Sequence, residues 1–178
     1  MKPLFHPNTV LNISNFIDAP SQSVLICGPV GSGKGTVASY IASEVLGVST
    51  VKLSNHPYVK WVHDLPKGVP IESIREAQGF MQLKTPGTKS IRRVLIVEQG
   101  NTMSSEAQNA FLKLLEEPPA DSLIIITATG VDQVLPTIRS RSQILQILPP
   151  SLNQVQEYFG SQYPATSVAK AYYISEGY

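Results

Sequence analysis

At 178 residues with a formal net charge of +1, the chain is long enough for one core domain and part of a second. It is also too nearly neutral to hold nucleic acid by charge alone. Its one cysteine, Cys27, excludes an intrachain disulfide and any multi-cysteine zinc module. No apolar run reaches transmembrane length and residues 1–6 have no apolar signal core, so the expectation is a soluble, cytoplasmic protein without membrane contact.

Taken in chain order, Val10, Leu11, Ile13, Phe16 and Ile17 predict a short helix ended by Ala19-Pro20-Ser21. Val24-Leu25-Ile26-Cys27 is an apolar run and predicts a first strand, with Cys27 as a small core residue and not a reactive thiol. A glycine-rich stretch follows, Gly28-Pro29-Val30-Gly31-Ser32-Gly33-Lys34-Gly35-Thr36, and then a helix over 37–46 stopped by Gly47. Strand, glycine-rich turn and helix are the context of a phosphate-binding loop. Glycines let successive N–H groups point at one anion, and the positive end of the helix adds to the attraction. Lys34 is positioned to reach the β- and γ-phosphates. The usual pattern places Ser or Thr directly after the Lys, to bind Mg²⁺. Here Gly35 holds that position and Thr36 follows it. One residue turns a helical side chain by about 100°, so Thr36 is expected to point away from the metal. The bland alternative is a tight glycine turn beside a solvated lysine.

Val51-Lys52-Leu53 predicts a second strand. His56 and His63 are too isolated to predict metal ligands. Residues 66–70 read as a loop, with Pro70 in the first turn of a helix carrying Ile71, Ile74, Ala77 and Met81. Val94-Leu95-Ile96-Val97 predicts a strand covered on both faces. Ser105 and Gln108 have capping-box spacing at the start of a helix with the stripe Ala107, Ala110, Phe111, Leu114 and Leu115, stopped by Pro118-Pro119. Leu123-Ile124-Ile125-Ile126 and Ile144-Leu145-Gln146-Ile147 predict two more strands. After Pro149-Pro150 two further helices are expected, over 152–158 and 168–174. Strands alternating with helices predict a parallel sheet with helices on both faces, and the phosphate loop at its carboxyl edge. The expected division is a nucleotide-binding core over 1–148 and the beginning of a helical lid over 149–178.

A phosphate loop needs an acidic partner at the end of a neighbouring strand. An Asp holds Mg²⁺ there, and a Glu often orients the attacking water. The strand 94–97 ends instead in Glu98-Gln99. Glu98 retains a carboxylate that can hold Mg²⁺, while Gln99 can orient water but is a poor base. Gly35 and Gln99 weaken the site in the same direction, toward a nucleotide held but hydrolysed slowly or not at all. The alternative for Glu98-Gln99 is an ordinary strand exit.

The order of four segments resembles a known family. These are Gly28 to Thr36; Val94 to Gln99; Ala107-Gln108-Asn109-Ala110-Phe111-Leu112-Lys113-Leu114-Leu115-Glu116-Glu117-Pro118-Pro119; and Leu135-Pro136-Thr137-Ile138-Arg139-Ser140-Arg141-Ser142. Together they are similar to the AAA+ module of bacterial DNA polymerase III clamp-loader subunits, the delta-prime and gamma/tau group. The resemblance runs from about His6 into the final helices. It implies an α/β phosphate-loop NTPase fold and a role in DNA replication. The implied partners are the other loader subunits (gamma/tau and delta), with the sliding clamp and primed DNA met through the assembled complex. It implies that Arg141 reaches a neighbouring subunit's nucleotide as an arginine finger, a device worth ~10³–10⁵ in rate in GTPases. The family's Cys after this arginine is Ser142 here. On spacing alone Arg141 reads first as a helix cap or surface pair, and Arg139 is expected to point elsewhere. The family's polar sensor residue falls near Thr127 to Thr129, with Thr127 and Thr129 as candidates and Ala128 between them. Its four-cysteine zinc module is expected to be absent or collapsed into residues 51–64, so no zinc is expected.

Within the group the resemblance favours a delta-prime-like stator, whose own ATPase activity is weak or absent and which lends an arginine to its neighbour. One alternative is a gamma-like working ATPase, which should keep a Thr after Lys34 and an Asp-Glu pair at 98 and 99. The other is a nucleoside monophosphate kinase, suggested by Gly33-Lys34-Gly35-Thr36. Such kinases need several arginines around two phosphate chains, and residues 37–90 supply only Arg75. The implied cofactor is ATP with Mg²⁺. The resemblance also implies a collar beyond residue 178, and a monomer without it.

Overall fold

The computed structural model describes residues 4–63, 66, 68–175 and 177. Five strands form one sheet, β1 (Ser23–Cys27), β2 (Val59–Val62), β3 (Arg93–Val97), β4 (Ser122–Ala128) and β5 (Gln143–Gln146). Every pairing is parallel and the order is β2-β3-β4-β1-β5. β1, β3 and β4 are buried along their whole length, which is why their sequences are continuous apolar runs and not alternating ones.

Helices cover both faces, as expected. Alternate strand residues divide the core in two. Val24, Ile26, Val94, Ile96, Leu123 and Ile125 pack under α1 (Pro7–Asp18), α2 (Lys34–Leu46) and α3 (Thr50–Leu53). Leu25, Cys27, Leu95, Val97, Ile124 and Ile126 pack under α4 (Ile71–Met81), α5 (Ser105–Glu116) and α6 (Pro136–Arg139). This period-two division is what a pleated strand imposes. Beyond Pro149-Pro150 lie α7 (Leu152–Phe159) and α8 (Ala165–Ile174). α7 begins with a capping box formed by Ser151 and Gln154.

Three sequence expectations are corrected. Val51-Lys52-Leu53 is not a strand but lies in α3, and the second strand is Val59–Val62. An apolar–polar–apolar triplet fits one helical turn as well as a short strand, and Leu53 is buried beneath α2 in the helical arrangement. The cap of α5 is Ser104, not Ser105, since the Ser104 hydroxyl accepts the Ala107 N–H at 3.2 Å. The last strand begins one residue earlier than expected, at Gln143. Residues 1–3, 64, 65, 67, 176 and 178 lie outside the described residues, and with them parts of the expected 66–70 loop, the end of the 51–64 segment and the lid terminus.

Candidate functional site

The carboxyl ends of β1, β3 and β4 meet at one point because of their register. Cys27 stands beside Ala128, and Val97 beside Ile126. The stretches that leave these strands, Gly28 onward, Glu98-Gln99 and Thr127-Ala128-Thr129, are therefore neighbours.

The glycine stretch folds as the sequence requires. Gly28 donates its N–H to the Ala128 carbonyl at 3.2 Å, and Ser32 donates to Pro29 at 3.2 Å. Gly31 and Gly33 take φ values of +86° and +82°, which cost a side chain dearly and glycine little. Gly33 is the N-cap of α2, and among the described residues no side-chain cap bond is made there. Its N–H groups and the helix dipole are left for an anion. Pro29 and Val30 are exposed. Lys34 is only 8% exposed, and its Nζ donates to the Gly28 and Pro29 carbonyls at 2.7 and 2.6 Å. Burial lowers its pKa, against a smaller upward pull from Cys27. Ser32 is buried and its Oγ has no hydrogen-bond partner among the described residues. An unpaired hydroxyl inside such a turn is costly unless an incoming group satisfies it. These features fit the phosphate end of a nucleotide.

The metal end fits poorly. A Cβ added at Gly35 would stand 4.0 Å from Glu98 Oε1, so position 35 faces the carboxylate and offers no hydroxyl. Thr36 lines a different space, an apolar cavity of about 630 Å³ between the loop and the last two helices. Phe5, Ile147, Phe159, Val168 and Tyr172 also line that cavity. The Glu98 carboxylate is meanwhile engaged by His63, Nδ1 to Oε2 at 2.8 Å. His63 in turn stacks on Trp61, with ring centroids 5.8 Å apart. Sequence spacing treated His63 as isolated. The pairing of β2 with β3 sets Val62 against Val97 and so delivers His63 to Glu98. Among the described residues no three His, Cys, Asp or Glu side chains are grouped to hold a metal ion.

Gln99 follows with φ 51° and ψ 52°, a left-handed conformation rare outside glycine. Its N–H is accepted by Thr127 Oγ1 at 3.0 Å, and its own buried Oε1 has no partner among the described residues. Thr127 Oγ1 is thus an acceptor for the Gln99 backbone, while its O–H remains able to donate. Ala128 is buried in the core. Thr129 is held by Asn101, whose Oδ1 accepts its N–H at 3.2 Å, and its hydroxyl donates to Gln133. Asn101, unnoticed in the sequence, reaches this point from the turn after Gln99.

Arg141 lies elsewhere. Ser142, its neighbour, hydrogen-bonds through Oγ to Ser23 Oγ at 2.9 Å. Ser23 is the first residue of β1, and the phosphate loop leaves the other end. Five residues of strand, at ~3.3 Å each, separate the two by about 16 Å. Arg141 donates to Glu116 Oε1 at 3.0 Å and to the Thr137 carbonyl at 3.1 Å. Arg139 points away from it, to Asp132 at 2.8 Å.

No helix among the described residues is long and apolar enough to cross a membrane. The family model described as "DNA polymerase III, delta subunit" matches residues 9–151. The chain is 27% identical over 137 residues to DNA polymerase III subunit delta' of Pseudomonas aeruginosa, covering 68% of this chain and 41% of that protein. It is 26% identical over 145 residues to the Bacillus subtilis subunit delta', covering 74% and 44%. It therefore spans less than half the length of either relative. Among solved structures, a gamma subunit-related protein of Thermotoga maritima superposes with a TM-score of 0.69 at 22% identity, over 93% of this chain and 58% of that one.

Proposed function

The chain belongs to the family described as DNA polymerase III, delta subunit, as a clamp-loader subunit of the delta-prime kind with an AAA+ phosphate-loop fold, and on that premise we propose that it works as a stator. In this reading it holds a nucleotide without turning it over efficiently and offers Arg141 to the nucleotide site of an adjoining subunit. The observation that carries the reading is the place of Arg141. At the amino end of the sheet, about a strand's length from its own phosphate loop, its guanidinium is out of reach of its own chain's phosphates, as a residue acting in trans requires.

The phosphate loop takes the polyphosphate of ATP. The N–H groups before α2, Lys34 and the unpaired Ser32 hydroxyl are its ligands. The apolar cavity beside Thr36 takes the base. Glu98 would offer Mg²⁺ its Oε1, on the Gly35 side, while Oε2 stays with His63, but Gly35 supplies no second protein ligand. Gln99 cannot accept the proton of an attacking water. The gamma-like alternative requires both positions to be intact. Family membership sets the kinase alternative aside. The partners in this reading are gamma/tau and delta subunits, and through the assembly the sliding clamp and primed DNA.

Two measurements test the reading. Binding of a fluorescent ATP analogue should be lost in Lys34→Ala with the fold retained; unchanged affinity removes the phosphate-loop assignment. In a loader reconstituted with ATP-hydrolysing subunits, Arg141→Ala should lower turnover without altering this chain's own nucleotide affinity. Unchanged turnover would make Arg141 structural.

A further inference from the structure

We propose that Glu116 is a latch on Arg141: it neutralises the guanidinium in the free subunit and must release it before Arg141 can act on a neighbour's phosphates. The inference rests on the reading of Arg141 as a residue that acts in trans.

Glu116 is the last residue of α5, and its Oε1 accepts from Arg141 Nη2 at 3.0 Å. Arg141 Nη1 donates on its other side to the Thr137 carbonyl at 3.1 Å. The guanidinium is thus turned back onto its own chain. A carboxylate at the carboxyl end of a helix meets the negative end of the dipole, where a cation is preferred. α5 carries one cation in that turn, Lys113; Glu116 opposes the dipole there, and its direct charge partner is Arg141.

The pair is not needed to hold α6 in place. Ile138 is fully buried and Arg139 is anchored separately on Asp132. Nor is the pair sealed. The two side chains are 36% and 51% exposed, and beside them opens a polar hollow of about 400 Å³ rimmed by Gln22, Ser23, Ser140, Ser142 and Gln143. An ion pair so exposed is weak and can be exchanged for another partner.

The chemistry sets the sign of the effect. While paired, guanidinium and carboxylate present no net charge, and the carboxylate repels approaching phosphate. An arginine finger works by bringing uncompensated positive charge to phosphate oxygens. The contact must therefore open as Arg141 engages the phosphates, and the work of opening it is taken from the neighbour's catalytic step.

The test uses the reconstituted loader with wild type, Glu116→Gln, Arg141→Ala and the double variant, measuring kcat and KM for ATP. Gln keeps an acceptor for Arg141 and removes the charge. Glu116→Gln should raise kcat about threefold with KM unchanged, and should have no effect in the Arg141→Ala background. A purely structural pair would give no gain in kcat. If Arg141→Ala lowers kcat while Glu116→Gln leaves it unchanged, the latch is overturned and the trans role of Arg141 stands. If Glu116→Gln lowers kcat instead, Glu116 orients Arg141 productively and the latch is again overturned. If Arg141→Ala changes nothing, the trans role fails and the latch with it.

Discussion

A side chain at residue 35 would begin 4.0 Å from Oε1 of Glu98, so Gly35 leaves bare a point of the phosphate loop that looks straight at the carboxylate. Gly35 does not use a left-handed φ, and it lies in the first turn of α2. A threonine is therefore accommodated without backbone strain. Gly35→Thr should make ATP-analogue affinity respond to Mg²⁺, by about tenfold between Mg²⁺ and EDTA, or about 1.4 kcal/mol. Gln99→Glu alone should leave turnover near zero, because the metal end is still incomplete. Turnover should appear only in the Gly35→Thr, Gln99→Glu pair. Hydrolysis by the single Gln99→Glu variant would show that Gly35 is not limiting.

Cys27, buried at the end of β1 just before that loop, gives a readout of the fold as a whole. Burial pushes its thiol up to about 11, against a smaller lowering by Lys34. At pH 8 only about one molecule in a thousand then carries the reactive thiolate. Labelling by a disulfide reagent should accordingly report global unfolding and not local exposure. The thiol is neutral in the folded chain and ionises more readily in the unfolded one. Its stabilising contribution is full below about pH 9 and is lost as the pH climbs toward about 11. Lys34, whose pKa burial lowers, pulls the other way, so the comparison is with Cys27→Ala. Stability measured from pH 8 to 10.5 should fall less steeply in that variant. Parallel pH profiles would contradict the assignment.

Most of this architecture was legible because the central strands are buried on both faces. Such strands leave unbroken apolar runs, as at 94–97 and 123–126. The edge strand β2 escaped because only Val62 of its four residues is buried, so Lys60 and Trp61 interrupt any pattern. That miss carried a second one with it. His63 reaches Glu98 only through the β2–β3 register, and with β2 misplaced at 51–53 the two residues have no reason to meet. The phosphate loop was readable from local backbone demands alone. The contacts of Arg141 with Glu116, and of Thr129 with Asn101, join residues on separate elements, and no local periodicity encodes them.

Asp121 predicts the acid limit of the fold. Burial favours its neutral form, but the Thr85 hydroxyl and the Arg93 and Arg92 guanidinium groups outweigh this and hold its pKa below the usual value. The folded chain therefore binds this proton less readily than the unfolded chain. The stabilisation is present above about pH 4 and lost as the pH falls further. Arg93 is only 4% exposed, and it also donates to the Phe80 and Met81 carbonyls at the end of α4. Asp121→Asn removes the charge opposite a buried guanidinium and should cost about 3 kcal/mol at pH 7. At pH 3 the gap to wild type should narrow. A constant gap in urea unfolding at both pH values would show that the carboxylate does not carry the effect.

The Gln99 turn rests on Thr127. With φ 51°, Gln99 holds a conformation that costs a non-glycine residue about 1–2 kcal/mol, and the turn is fixed by its N–H donating to Thr127 Oγ1 at 3.0 Å. Thr127 is 3% exposed, so water has no ready access if that acceptor is removed. Thr127→Val keeps the shape and leaves the N–H unpaired, which should cost about 2 kcal/mol. Thr127→Ser keeps the acceptor and loses one methyl, and should cost about 1 kcal/mol. The order matters more than the values, since a cavity effect alone would make Ser the worse substitution. If Val proves as stable as Thr in urea unfolding, the hydroxyl does not hold the turn.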